Sequence, residues 1–350
     1  SWSRGLGDVY KRQAVDNHRM DDFAPYAFVT DDYGATWRNL APNGLPDDYV
    51  KVIREDKKNP DVLYVGMELG IQVSLDRGAT WHDFRGENLP PVSVRDIQHQ
   101  AVYNDIVIGT HGRGAYVLDD ATRVQELARA VGEDAYLFPP RLATRWEING
   151  RDASQGQREY RAPNPPDGAI IDFGLADAPG GPVTLEVGDD AGNVIRTQNV
   201  RARQGLNRTE WNLDHDGSEP VRSVGGGGGG GFGGGGGPPA VPGNYTLTLR
   251  GDGWERTGTV EVRADPRADV RTADLRAQLD ALLTLRDMTT EVNRAITVSQ
   301  SLVRQLEALE RELGVLGGEA EAELRSAVEA ARVEVQEVTD EHIRRPPPNM

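Results

Sequence analysis

The sequence predicts a mainly β chain that ends in a helical hairpin, and three observations carry that reading. An eight-residue pattern occurs twice, 44 residues apart. Short runs rich in Val, Ile, Tyr and Thr, punctuated by Gly, Asp, Asn and Pro turns, fill most of the chain before it. From Leu275 onward the apolar spacing changes to steps of three and four. Composition narrows the function classes. Acidic residues outnumber basic ones, 55 to 39, for a formal charge of −16. That balance repels phosphate backbones and anionic lipid, so neither nucleic acid nor a membrane surface is an expected partner. No stretch approaches the roughly 18 apolar residues of a membrane span. Cysteine is absent, which removes disulfides, zinc–thiolate sites and thiol catalysis together.

The repeat comes first. Thr30, Asp32, Gly34, Thr36 and Trp37 match Ser74, Asp76, Gly78, Thr80 and Trp81 without a gap. Both segments fit S/T-x-D-x-G-x-T-W, the Asp-box of bacterial neuraminidase-type repeats. The chemistry is that of a turn: Asp accepts backbone N–H groups, Gly supplies φ > 0, Thr enters the next strand and Trp packs between sheets. A period near 40 to 50 residues means a propeller blade or a solenoid turn. Val50–Glu55, Val62–Gly66, Ile71–Ser74 and Trp81–Phe84 read as the four strands of one blade. Tyr26–Thr30 and Thr36–Asn39 read as the outer half of the blade before it. Val94–Gln98, Asp105–Thr110 and Ala115–Asp119 read as three strands of the blade after it. About two and a half blades is fewer than a closed ring needs, so residues 14–134 are expected to form an open arc with bare apolar faces.

Two further runs make the resemblance specific. Asp61 to Gly66, then Glu68 to Ile71 and the second box, resemble sortilin-type and xyloglucanase-type propellers. Gly109-Thr110-His111-Gly112-Arg113-Gly114 followed by Tyr116 to Asp120 resembles the closing blade of large bacterial proteins labelled "glycosyl hydrolase, BNR repeat". The resemblance implies an extracytoplasmic protein, with this chain its C-terminal part and the remaining blades of the parent as its partners. The opening stretch SWSRGLGDVYKRQ has no strand or helix period, and LGDVYKRQ resembles a translated sequencing adaptor. Residues 1–13 are therefore set aside from the fold, with native sequence expected to start near Ala14 and any signal peptide expected to lie outside this chain.

Residues 135–265 predict a β-sandwich. Val183–Val187, Val194–Thr197, Asn207–Leu213 and Gly243–Arg250 alternate apolar and polar positions between turn signals, as in immunoglobulin-like or fibronectin-like modules. Gly225 to Gly237, broken only by Phe232, is a flexible insertion; it lacks the Lys-Ser/Thr of a phosphate loop. Residues 270–345 predict two antiparallel helices. Leu279, Leu282, Leu285, Val292, Ile296, Val303, Leu306 and Leu313 line the first, Leu324, Val328, Ala331, Val335 and Val338 the second. Gly314–Gly318 forms the turn, Thr272 the N-cap, and Arg345-Pro346-Pro347-Pro348 the stop.

No catalytic residue, cofactor-binding residue or metal ligand is assigned, and no cofactor is expected. The box aspartates Asp32 and Asp76 belong to rim turns. Asp16, His18, Asp21, Asp22, His111 and Arg113 are the polar residues expected at the mouth of the ring, where a peptide or glycan would bind. The favoured reading is a non-catalytic binding protein. The alternative is a glycoside hydrolase of the xyloglucanase or BNR type whose paired carboxylates lie on missing blades; Asp-boxes mark blade geometry and not chemistry.

Overall fold

The computed structural model describes residues 11–86, 88–147, 166–221, 236–313 and 319–342. It is mainly β, with five sheets and a C-terminal helical hairpin. The chain divides into two compact units. Residues 1–212 with 242–265 form one, and residues 213–241 with 266–350 form the other.

The first unit opens with three sheets. Strands β1 (Lys11–Val15), β2 (Tyr26–Thr30) and β3 (Arg38–Asn39) make the first. β4 (Val50–Glu55), β5 (Leu63–Met67), β6 (Gly70–Ser74) and β7 (His82–Asp83) make the second, in sequence order. β8 (Val94–Gln100), β9 (Asp105–Thr110) and β10 (Ala115–Leu118) make the third. Strand β4 packs on β1 to one side and on β8 to the other, so the second sheet is buried on both faces. Alternation assigns the faces: Leu63, Val65 and Met67 meet Ala27 and Val29 of the first sheet, while Tyr64, Ile71 and Val73 meet Val94, Ile97, Ile106 and Ile108 of the third. At Gly66 the backbones come so close that a Cβ would stand 2.7 Å from both Val52 Cγ1 and Val94 Cγ1.

Two expectations need correction here. Residues 11–13, set aside on sequence grounds, belong to β1: Lys11, Arg12 and Gln13 pair with Thr30, Val29 and Phe28. Arg12 forms an ion pair with Glu55 of β4 and Ala14 packs in the shared core, which fixes β1 in the first sheet. That sheet therefore has three strands and not two. Residues 1–10 lie outside the described residues. The bare face of the third sheet is also not the apolar surface expected, since Asp96 and Gln98 share it with Val107 and Val117.

Helices α1 (Thr122–Gln125) and α2 (Leu127–Ala130) follow. A buried polar knot ties α1 to the turns below the second and third sheets. Gln125 donates through Nε2 to both Asp56 oxygens, at 2.9 and 3.0 Å, and Tyr64 donates its hydroxyl to the same carboxylate. Asn104, held at φ 62°, donates to Asp120, Thr122 and Gln125, and its carbonyl oxygen meets His99 Nε2 at 2.7 Å. Burial and the Asp56 charge push the Tyr64 phenol far up.

The rest of the first unit holds two more sheets. β11 (Ala135–Leu137), β13 (Ala169–Leu175) and β16 (Gly205–Trp211) form one, in that order, between which fall β12 (Ala143–Arg145), β14 (Val183–Gly188) and β15 (Val194–Val200). With β17 (Gly243–Gly251) and β18 (Trp254–Ala264), the other runs β12-β18-β17-β14-β15. Trp211 of one sheet meets Tyr245 of the other edge to face, ring centroids 4.9 Å apart.

In the second unit, α3 (Thr272–Leu313) and α4 (Glu319–His342) form the hairpin. Helix α3 begins at Thr272 itself, so Arg271 and not Thr272 holds the cap position. The expected seam is only partly covered: Leu313 and Val328 are buried, but Leu285, Val292, Leu324 and Val338 are all more than half exposed. Length accounts for part of this, because 42 residues of α3 exceed the 24 of α4, but Leu324 and Val338 lie on the shorter helix itself. Residues 314–318, 343–350 and most of the glycine run lie outside the described residues. Among the described residues no helix is long and apolar enough to cross a membrane.

Candidate functional site

The two repeated loops fold alike. Asp32 accepts from the Thr36 N–H at 2.8 Å and the Thr36 hydroxyl at 2.7 Å; Asp76 accepts from Thr80 at 2.8 and 2.6 Å. Thr30 and Ser74 donate their hydroxyls to these carboxylates and accept from Gly34 and Gly78. Tyr33 and Gly34, like Arg77 and Gly78, have positive φ, so the left-handed turn spans two residues and only the second is glycine. Hydrogen bonds from Thr36 hold the Asp32 carboxyl down at about 2. The tryptophans differ. Trp81 is 7% exposed and donates to the Leu40 carbonyl, whereas Trp37 is 43% exposed.

The strand ends place a second group of side chains together. Asp16 follows β1, Tyr49 precedes β4 and Lys51 is its second residue, Glu68 sits in the β5–β6 turn, and Ser93 precedes β8. Lys51, with its side chain 4% exposed, donates to Asp16 at 2.6 Å and lies 3.7 Å from Glu68. Its ammonium also stands 4.0 Å from the centre of the Tyr49 ring. Ser93 donates to Glu68 at 2.8 Å, and Tyr49 binds the same carboxylate. His18 bonds to Asp16 through Nδ1 and stacks on Tyr49, with Phe23 against the edge of that ring.

The electrostatics follow. Burial would raise the Asp16 carboxyl, but hydrogen bonds from Lys51 and His18 outweigh it and hold the group at about 2. Burial likewise opposes, and Ser93, Tyr49, Lys51 and Arg95 overcome it, to leave Glu68 below the usual carboxylate range. Burial and the Glu68 hydrogen bond push the Tyr49 phenol up to about 12. Two ionised carboxylates thus bracket one ammonium beside an aromatic platform.

The six residues expected at a mouth separate. Asp16 and His18 join Lys51. Asp22 braces its own loop, accepting from Asn17, Ala24 and Tyr26. Asp21 closes a single helical turn with φ 61°. His111 and Arg113 are exposed in the turn after β9, where the His111 N–H bonds to the Ser93 carbonyl. Sequence reasoning missed Tyr49, Lys51, Glu68 and Ser93 because Lys51 sits within a strand and the others at strand ends or in a tight turn, where polar residues are ordinary. The 44-residue offset carries the signal: it maps Tyr49 onto Ser93, which both bond Glu68, and Lys51 onto Arg95, the cations on either side of it. Among the described residues no group of three or more His, Asp or Glu is arranged to hold a metal.

No family model matches the chain, and no curated protein matches it. Solved structures give partial likenesses. The extracellular domain of a hybrid two-component system of B. thetaiotaomicron aligns at 11% identity and TM-score 0.25, over 69% of this chain and 30% of its own. The extracellular domain of a one-component system of the same organism aligns at 11% and 0.21, over 69% and 29%. An ancestral GH74 enzyme aligns at 12% and 0.20, over 62% and 27%. This chain spans less than a third of each. TM-scores this low carry no argument about activity.

Proposed function

We propose that this chain is the C-terminal part of an extracytoplasmic Asp-box β-propeller protein that binds a peptide or glycan without cleaving it. The three stacked sheets are read as an open arc of blades over residues 14–134. An Ig-like module follows over 135–265, with the glycine-rich insertion 225–237, and a helical hairpin over 270–345. Ligand binds where the inner strand ends converge, at Asp16, His18, Tyr49, Lys51 and Glu68.

The observation that argues against Asp16 and Glu68 as a catalytic acid pair is the lysine they share, which keeps both ionised. Glycoside cleavage needs one carboxyl kept protonated near neutral pH by a raised pKa. Asp16 and Glu68 share a lysine, and both are pulled the other way. Exposed Phe23 and the His18–Tyr49 stack supply flat apolar surface beside fixed charge, a combination that suits a sugar ring or a basic peptide side chain. The test is a panel of soluble glycans and basic peptides, read by calorimetry on wild type and Lys51→Met. Saturable glycan binding that Lys51→Met weakens, or basic-peptide binding that it tightens by freeing Asp16 and Glu68, with no reducing ends released from any glycan, is expected. Turnover of xyloglucan that disappears in Asp16→Asn or Glu68→Gln would restore the hydrolase reading.

A further inference from the structure

Helix α3 uses only part of its circumference within its own unit. Written as a heptad with Leu285 at position a, its polar contacts fall to one side. Glu219 bonds to Thr290, Asn293 and Arg294, at f, b and c, and Arg332 of α4 pairs with Glu310, at e. Positions a, d and g remain. The large apolar side chains of α3 that stay exposed fall on these three positions: Leu285, Met288, Val292, Val298, Leu302 and Leu309, from 38% to 58% exposed.

The stripe is complementary to itself. Reversed about Thr297, Leu285 falls on Leu309, Met288 on Leu306, Val292 on Leu302 and Ala295 on Ser299. Each match sets an a position against a d position, which is how the layers of two antiparallel helices meet. The layers are large toward both ends and small in the middle, where Ala295 and Ser299 let the backbones approach toward the near end of the roughly 8–10 Å range. At the g positions the same reversal brings Glu291 to Gln305, so that no acid faces an acid. A two-fold interface requires this self-complementarity, and an unrelated partner does not. Charge agrees with it. Residues 285–309 carry three arginines and three acidic residues, a net charge of zero, in a chain of −16, so two copies can meet here without the repulsion expected elsewhere.

We infer that α3 pairs antiparallel with α3 of a second copy of this chain, with the two-fold axis beside Thr297, and joins two hairpins into a four-helix assembly. The partner is met by helices already formed, so little ordering opposes the contact. The seam does not involve the Lys51 cluster, and the ligand-binding reading and this one stand or fall independently.

Sedimentation equilibrium of the full chain across a wide concentration range tests it. Val292→Lys and Leu302→Glu each place a lone charge in two apolar layers. Combined, they set each introduced lysine against an introduced glutamate of the other copy, although the two positions lie about 15 Å apart along one helix. The wild type is expected to dimerise, each single variant to raise the Kd about tenfold or more, and the double variant to recover most of the loss. Both positions are exposed in the single chain, and circular dichroism checks that each variant keeps its helices. Cysteine reads the register separately, because the chain has none of its own. Val298→Cys should oxidise to a cross-linked dimer, whereas Leu285→Cys, about 36 Å along the seam from its own copy, should not. A wild type that stays monomeric, or a dimer that both single charges leave unchanged, would overturn the assignment of this face. Failure of the double variant to recover, or cross-linking through Leu285→Cys in place of Val298→Cys, would overturn the antiparallel pairing.

Discussion

Two tryptophans at the same repeat position should respond to truncation very differently. Trp81 is 7% exposed in the core shared by the first and second sheets, and its Nε1 donates to the Leu40 carbonyl at 3.2 Å. A buried aromatic removes roughly 150–250 Å² from water, worth about 4–6 kcal/mol at about 25 cal/mol per Å². Trp81→Ala should therefore cost about 3–5 kcal/mol, with the cavity and the stranded carbonyl setting the upper end. Trp37 keeps 43% of its surface in water, and its neighbours can close over an alanine, so Trp37→Ala should cost about 1–2 kcal/mol. Urea titrations followed by far-UV circular dichroism would place the two midpoints roughly 1 M apart. Equal losses would refute the reasoning, because they would mean that the box and not the burial of its tryptophan sets the cost.

Gly66→Ala should destabilise by about 1–3 kcal/mol, as the new Cβ meets two valine methyls at 2.7 Å and the Val94 carbonyl at 2.9 Å; a thermal melt unchanged from wild type would show that the second and third sheets can part. The Asp16 carboxyl is depressed in the folded chain, so its contribution is present above the unfolded value near 3.8 and is lost as pH falls toward about 2. Asp16→Asn should accordingly be less stable than wild type at pH 6 and match it by pH 2, in paired urea melts across that range. Tyr49 should ionise only near pH 12, and ultraviolet difference spectra of wild type against Tyr49→Phe should lack a matching transition near pH 10.

What the sequence reveals depends on whether a residue's role is local. Asp32, Thr36, Asp76 and Thr80 are legible because the loop is built from bonds within four residues. Strand β13 escapes notice because Ala169, Ile170, Ile171 and Phe173 are all buried, leaving no alternation to read. Strands β11 and β12, at three residues each, are too short to show a period. The hairpin is legible as two helices, but which of its seam residues are covered is not, since Leu324 and Val338 stay exposed on the shorter helix while Val328 is buried. At the strand-end cluster, Asp16 and His18 stand out as polar residues in a loop. Lys51 and Glu68 look like solvated positions of a strand and a turn until packing of β1 on β4 brings Asp16 to the lysine.

The polar knot around Asp56 has a consequence for how the molecule comes apart. Its members lie on three separate stretches, the turn at 56–59, the turn at 99–104 and helix α1, and each leaves another buried donor or acceptor without a partner if it moves alone. Opening one stretch exposes the cost of all three, so none frays by itself. A four-residue helix, which on its own would exchange its amide hydrogens almost freely, should instead exchange at the rate of the β4–β5 and β8–β9 turns beneath it. The second and third sheets should then unfold from this end as a single unit, with α1 released together with the two turns.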